Sequence, residues 1–284
     1  MRPIRLLLKD VPMPLISLNG ASLWYESTGE GPETIVFAHG LLWSGEMFAA
    51  QVAALSSRYR CVTFDFRGQG RSQVAASGYD MDTLANDAAA LIESLGVGPV
   101  HMAGLSMGGF VTMRLAARRP DLLRSAILLE TSADGEPQEN VGRYKLLGFV
   151  GRWLGYGLVS GSVMPIMFGK TFMSEPARAA ERASWRARLM KNDRVGIARA
   201  LGGVIERAPI YPELARITVP TLVIVGDEDV ATVPAKAERI AAAIAGAQLV
   251  VIPRAGHTSS VEEPAAVTAA IAAFLARVSA PQTA

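Results

Sequence analysis

A serine with a glycine two residues before it and another two residues after it, Gly104-Leu105-Ser106-Met107-Gly108, is the most chemically specific feature of the sequence. The spacing suits a strand that turns abruptly into a helix with a hydroxyl at the apex, a nucleophile elbow. Gly104 and Gly108 carry no β-carbon, so strand and helix can approach closely beside Ser106. A serine hydroxyl is a weak nucleophile near neutral pH and needs an adjacent base. The chain has three histidines. His39 precedes Gly40 at the end of an early apolar run. His101 lies inside the run that leads to Ser106, where a packed or hydrogen-bonded role fits. His257, in A-G-H-T-S-S-V-E-E-P, follows the last apolar run and would arrive at the same sheet edge, so it is the expected base.

Such a base needs a carboxylate that fixes its tautomer and stabilises the imidazolium. The stretch V-G-D-E-D-V offers Asp227, Glu228 and Asp229, in the chain order serine, acid, histidine. Asp229 is the expected partner. Asp227 could instead cap the turn, and Glu130, at the end of the preceding apolar run, is a third candidate. The oxyanion of an acyl-transfer step also needs donors. Phe37–Leu41 ends in a glycine turn at Gly40 that can present the Leu41 N–H beside that of Met107, where a helix begins. Each such donor is typically worth about 100- to 1,000-fold in rate.

These residues require a scaffold that brings distant segments to one edge. Thr34–Ala38, Tyr59–Phe64, Pro99–Leu105, Ser125–Leu129, Thr221–Val225 and Ala247–Ile252 are short apolar runs rich in β-branched residues, the pattern of strands buried on both faces. Helical spacing is expected over Thr83–Leu95, Gly108–Arg119, Ala235–Ala245 and Pro264–Val278. Asn19-Gly20 between two apolar-rich runs predicts a tight hairpin. Strand–helix alternation of this kind predicts a doubly wound α/β sheet. The alternation stops between Thr131 and about Leu214, a segment rich in aromatic and methionine residues and too long to be structureless. It is expected to be a helical insertion covering the strand ends.

Bulk properties narrow the function. Half of the 284 residues are hydrophobic and 19% are charged, which fits a folded globular chain. The net charge of +2 and the lack of a long basic block argue against nucleic acid as a partner. The basic stretch from Arg178 to Arg199 reads as a solvated helix face. A single cysteine, Cys61, excludes an internal disulfide and a thiolate cluster, and its apolar surroundings suggest a buried strand residue. Glycines at 68 and 70 lack the third glycine of a dinucleotide loop. Gly169-Lys170-Thr171 has methionine where a phosphate loop needs its first glycine. No bound cofactor or metal is expected. The first ten residues do not read as a secretory signal, no run is long enough to cross a bilayer, and a cytoplasmic protein is the default expectation. The tail after Val278 is expected to fray.

The sequence resembles the α/β-hydrolase family, in its serine esterase and lactonase branch. The resemblance rests on H-G-L-L-W at 39–43, D-F-R-G-Q-G-R-S at 65–72, G-L-S-M-G-G at 104–109, P-T-L-V-I-V-G-D-E-D at 220–229 and A-G-H-T-S-S-V-E-E-P at 255–264. It implies a mostly parallel eight-stranded sheet with helices on both faces, a core of residues 1–130 and 215–284, and a helical cap over 131–214. The acid of that family is commonly the last residue of a G-x-x-D motif, which matches Gly226–Asp229. The 65–72 stretch is a structural turn there. Serine at the elbow argues against the dehalogenase and epoxide hydrolase branches.

The implied reaction is cofactor-free cleavage of carboxylic esters of small, hydrophobic substrates through an acyl-enzyme. An enol-lactone hydrolase is the alternative, suggested by residues 219–264; perhydrolysis and carbon–carbon bond hydrolysis use a similar triad. A ligand receptor with little turnover is the reading from a different class. Trp43, Trp153, Met167 and Phe168 are expected to line the substrate pocket, against the plainer expectation that such side chains pack the cap helices together.

Overall fold

The computed structural model describes residues 14–279. The readings of the first ten residues and of residues 280–284 fall outside it. The hairpin forms as its turn dipeptide dictates: β1 (Leu15–Leu18) and β2 (Ala21–Thr28) pair antiparallel across Asn19 and Gly20, which take φ of 47° and 76°. Both values lie in the left-handed region that an Asn-Gly turn supplies.

Six further strands follow: β3 (Thr34–Ala38), β4 (Arg60–Phe64), β5 (Val100–Leu105), β6 (Leu123–Leu129), β7 (Thr221–Gly226) and β8 (Gln248–Ile252). The eight-stranded sheet has the order β1-β2-β4-β3-β5-β6-β7-β8 and is parallel from β4 to β8. β3, β5 and β7 are buried along their whole length, which is why their sequences read as continuous apolar runs rather than alternating ones.

Alternate residues feed two cores. Val36, Val62, Met102 and Val223 face α2 (Met81–Leu95), α3 (Met107–Arg118) and α9 (Pro234–Ala243). Ile35, Phe37, Leu105 and Ile224 face α1 (Ala49–Leu55) and α11 (Pro264–Val278), the latter preceded by the one-turn α10 (Ser259–Glu262). Helix α1 follows a 3-10 turn and was not anticipated from the sequence; its seven residues are too few for a readable helical period. Helix α2 starts where Asp80 accepts the Thr83 N–H at 2.8 Å and stops at Gly96, φ 61°.

Between β6 and β7 the chain runs through α4 (Gln138–Leu154), α5 (Tyr156–Met167), α6 (Lys170–Ser174), α7 (Ala179–Lys191) and α8 (Arg194–Ile205). Val159, Val163, Phe172, Trp185 and Ile197 of this region join the same core as α1 and α11. Among the described residues, no helix is long and apolar enough to cross a membrane. Cys61 is buried in β4, and burial pushes its thiol up to about 11.

Candidate active site

Three strand ends build the site. β5 breaks into α3 at Ser106, whose backbone takes φ 52° and ψ −109°, a conformation that non-glycine residues rarely adopt and that persists only when its surroundings hold it. Here they do. The Ser106 N–H donates to the Leu129 carbonyl at 2.9 Å, and the Thr131 hydroxyl donates to the Ser106 carbonyl at 2.9 Å. The flanking glycines are steric requirements. A β-carbon on Gly104 would stand 2.2 Å from the Gly108 carbonyl oxygen, and one on Gly108 would stand 2.0 Å from that of Ala38. Gly109 is equally constrained, because its β-carbon would meet the Thr131 side chain at 2.5 Å.

The loop after β8 carries His257, and the loop after β7 carries Asp229. His257 Nδ1 lies 2.9 Å from Asp229 Oδ2, with both residues buried. A carboxylate only accepts, so Nδ1 carries the proton, and Nε2 is the ring nitrogen left for a partner on the cavity side. Thr232 donates its hydroxyl to Asp229 Oδ2 at 2.7 Å, and its oxygen lies 3.2 Å from Nδ1. The N–H groups of Ala231 and Thr232 donate to Asp229 Oδ1 at 2.8 and 3.0 Å. Burial pushes the Asp229 carboxyl up, but attraction to His257 and the hydrogen bonds from His257 and Thr232 outweigh it and hold the group below the ordinary aspartate value.

The other acidic candidates sit elsewhere. Asp227 is exposed and accepts the Arg254 N–H at 2.7 Å, capping the turn. Glu228 binds the Thr171 N–H and hydroxyl at 2.7 and 2.6 Å. Glu130 is buried, its carboxyl oxygens have no hydrogen bond of good geometry among the described residues, and burial, opposed only weakly by nearby Ser259 and Gly226, raises it well above the ordinary glutamate range.

The remaining histidines are structural. His101 is bonded to Ser125 at 2.8 Å and to Glu33 at 3.3 Å. His39 Nδ1 contacts the Gly40 carbonyl at 2.7 Å while its Nε2 accepts the Phe66 N–H at 2.9 Å, and burial lowers its pKa. Each ring nitrogen thus has a fixed role, and the ring is neutral.

Leu41 follows Gly40 at the end of β3, and Met107 opens α3, where the first N–H groups have no intrahelical acceptor. The 65–72 turn ties these two segments together. Gln69 accepts the Leu42 N–H at 2.9 Å and donates to Met107 Sδ at 3.7 Å, while Asp65 accepts the Gly45 N–H at 2.8 Å. Gln69 belongs to the 65–72 motif, yet nothing local in its sequence signals that it spans two other segments. Thr232 had a weak signal: a threonine three residues after an aspartate can close a local hydrogen-bonded turn.

Ser106, His257, Leu41 and Thr232 line one cavity, closed on its far side by α4, α5 and α8. Its wall is mostly apolar, including Phe110, Leu147, Val163, Ile166 and Leu201. Of the four side chains expected to line it, Met167 does so. Trp43 and Phe168 do not. They are buried behind the wall, where Trp43 packs edge-on against Phe168 at 5.7 Å and Trp185 at 5.1 Å. Trp153 is 61% exposed on the opposite side of α4. Glu136, Tyr144, Tyr156 and Arg207 line the cavity and were not anticipated, since nothing in their local sequence marks them.

Comparison with known proteins agrees with this architecture. A 3-oxoadipate enol-lactonase 2 from Acinetobacter baylyi is 28% identical over 264 residues, covering 92% of this chain and 96% of that protein. The crystal structure of an enol-lactonase from Burkholderia xenovorans LB400 superposes with a TM-score of 0.86 at 32% identity, over 93% of this chain and 100% of the other. A thermophilic esterase from Thermogutta terrifontis, solved with malate bound, gives a TM-score of 0.85 at 31% identity, over 94% and 98% of the two chains. The model of the α/β-hydrolase fold matches residues 33–264, and the chain belongs to that family.

Proposed function

We propose that the protein is a serine hydrolase that cleaves carboxylic esters with hydrophobic acyl groups through an acyl-enzyme. The observation that carries this reading is that Ser106 and His257 line one cavity while Nδ1 of His257 is tied to a buried carboxylate. In this reading His257 Nε2 takes the Ser106 proton as the hydroxyl oxygen attacks the ester carbonyl. Asp229 keeps the ring in the required tautomer and stabilises the imidazolium. The N–H groups of Leu41 and Met107 donate to the tetrahedral oxyanion, and His257 protonates the departing alcohol. Water, deprotonated by the same ring, then attacks the acyl-serine and releases the acid. The helices of residues 131–214 act as the lid that excludes bulk water.

Hydrolysis of an enol-lactone is the second reading, favoured by the activity named for the Acinetobacter and Burkholderia relatives. The chemistry is the same, except that the leaving oxygen stays attached to the acyl group.

Treatment with a fluorophosphonate should add its mass to Ser106, and Ser106→Ala should abolish both labelling and turnover of p-nitrophenyl esters, the latter by roughly a million-fold. Labelling that persists in Ser106→Ala, or wild-type protein inert to the reagent, overturns the proposal. A panel of esters and enol-lactones separates the two readings.

A further inference from the structure

Arg207 is the one lysine or arginine among the described residues in the cavity wall, and its charge is already answered. Its Nη1 lies 2.8 Å from Glu136 Oε2, and the two side chains are only 2% and 9% exposed. The guanidinium is anchored independently of that carboxylate. Nε donates to the Asp134 carbonyl at 3.1 Å, Nη1 donates to the Val204 carbonyl at 2.7 Å, and Cζ stands 4.2 Å from the centre of the Phe110 ring. Glu136 is itself braced, its Oε1 accepting from Asn140 Nδ2 at 3.2 Å. The pair joins residues 71 positions apart, one just before α4 and one just after α8.

From this pairing we infer that the cavity selects uncharged acyl groups and rejects those ending in a carboxylate, with Glu136 as the residue that sets the choice. The inference rests on the reading of the cavity as an ester site. A carboxylate entering this mostly apolar wall would leave its water, a loss that a cation or several well-placed hydrogen-bond donors would have to offset, and Arg207 is the one lysine or arginine of the wall among the described residues. Glu136 already occupies that cation, so a second carboxylate would bring an uncompensated negative charge beside the first. An uncharged chain meets no such penalty. A lactone made from a dicarboxylic acid keeps one free carboxylate, so the pair also counts against that part of the lactone class as the preferred substrate. Removing the Glu136 charge, with Arg207 still held by two carbonyls and an aromatic face, should turn the wall into an anion site.

The test uses methyl heptanoate and monomethyl adipate, near-isosteric esters that differ in terminal charge. Their binding is measured by calorimetry to Ser106→Ala protein and their hydrolysis is measured with wild-type protein. With Glu136 intact, the uncharged ester should bind and react better by at least about tenfold, and Glu136→Gln should move that ratio toward the acid ester by at least about tenfold. Arg207→Met should not move it that way. Three results overturn the inference: intact Glu136 favouring the acid ester, an unchanged ratio in Glu136→Gln, or a comparable shift in Arg207→Met. Discrimination in binding without hydrolysis of either ester would refute the hydrolase reading while leaving the charge selection standing.

Discussion

His257 and Asp229 meet at 2.9 Å through Nδ1 and Oδ2, with the carboxylate entirely enclosed by its own turn and the ring. Asp229→Asn would place an amide where an acceptor is required, favouring the wrong ring tautomer. The expected loss in kcat is about 10,000-fold, the scale of the same change in Ser-His-Asp enzymes. Asp227→Asn removes only a turn cap at the exposed Arg254 N–H and should leave kcat near wild type. Steady-state turnover of a p-nitrophenyl ester by both variants decides it, and the reverse pattern would mean the acid is misassigned.

Gly108 and Gly161 should respond to the same substitution with opposite sign. A β-carbon at Gly108 collides with the Ala38 carbonyl at 2.0 Å, whereas at Gly161, inside α5, nothing lies within 4 Å. Gly108→Ala should destabilise by about 1–3 kcal/mol or more through overpacking. Gly161→Ala should stabilise by roughly 0.5–1 kcal/mol by restricting the unfolded chain. Urea melts with a common slope measure both.

Gln69 is a positioning residue in the proposed mechanism, since it joins the Leu42 backbone to the Met107 side chain and touches no reacting atom. Gln69→Leu frees both segments that would supply oxyanion donors. A misplacement of this kind should lower kcat by about 10- to 100-fold while KM changes little. The rate of fluorophosphonate labelling should fall in parallel, because serine attack at phosphorus, with fluoride leaving, also develops negative charge on an oxygen that the same N–H groups would stabilise. A drop in melting temperature with kcat unchanged would mark the residue as merely structural.

Glu130 should make the protein less stable as pH rises. Burial raises its pKa in the folded state above the ordinary value of 4.5, so the folded protein holds a proton that the unfolded chain releases. The stability tied to that proton is fully present below about pH 4.5 and is lost progressively above it, at up to about 1.4 kcal/mol per pH unit. Glu130→Gln replaces the buried carboxyl by a neutral amide and removes this dependence. The stability of the variant relative to wild type should therefore grow between pH 5 and pH 8 in denaturant melts; a constant difference would show that the carboxyl is not held protonated.

How much of this was legible in advance depended on how local the cause was. Asn19-Gly20, the glycines around Ser106 and the apolar runs act through their own backbone or immediate neighbours, and the elements they predict appear with ends shifted by at most a few residues. The helices between β6 and β7 were harder to read. Helix α4 carries apolar side chains on its cavity face, at Leu147, and on its outer face, at Phe149 and Trp153, so no single stripe shows which side is buried. Trp43 and Phe168 carry the aromatic character expected of a pocket wall and are instead packed edge-on to each other behind it.

By itself, then, the sequence determined the sheet and the strained turn at Ser106, because steric limits on φ and ψ and the burial of apolar runs operate within a few residues. Only the tertiary structure decided that Asp229 rather than Asp227 reaches His257, that Gln69 joins two loops, and that Glu136 answers Arg207 inside the cavity. Those contacts join segments 27 to 71 residues apart. Over such separations no repeat or turn rule links the partners, and the geometry of the packed fold alone selects which polar groups meet.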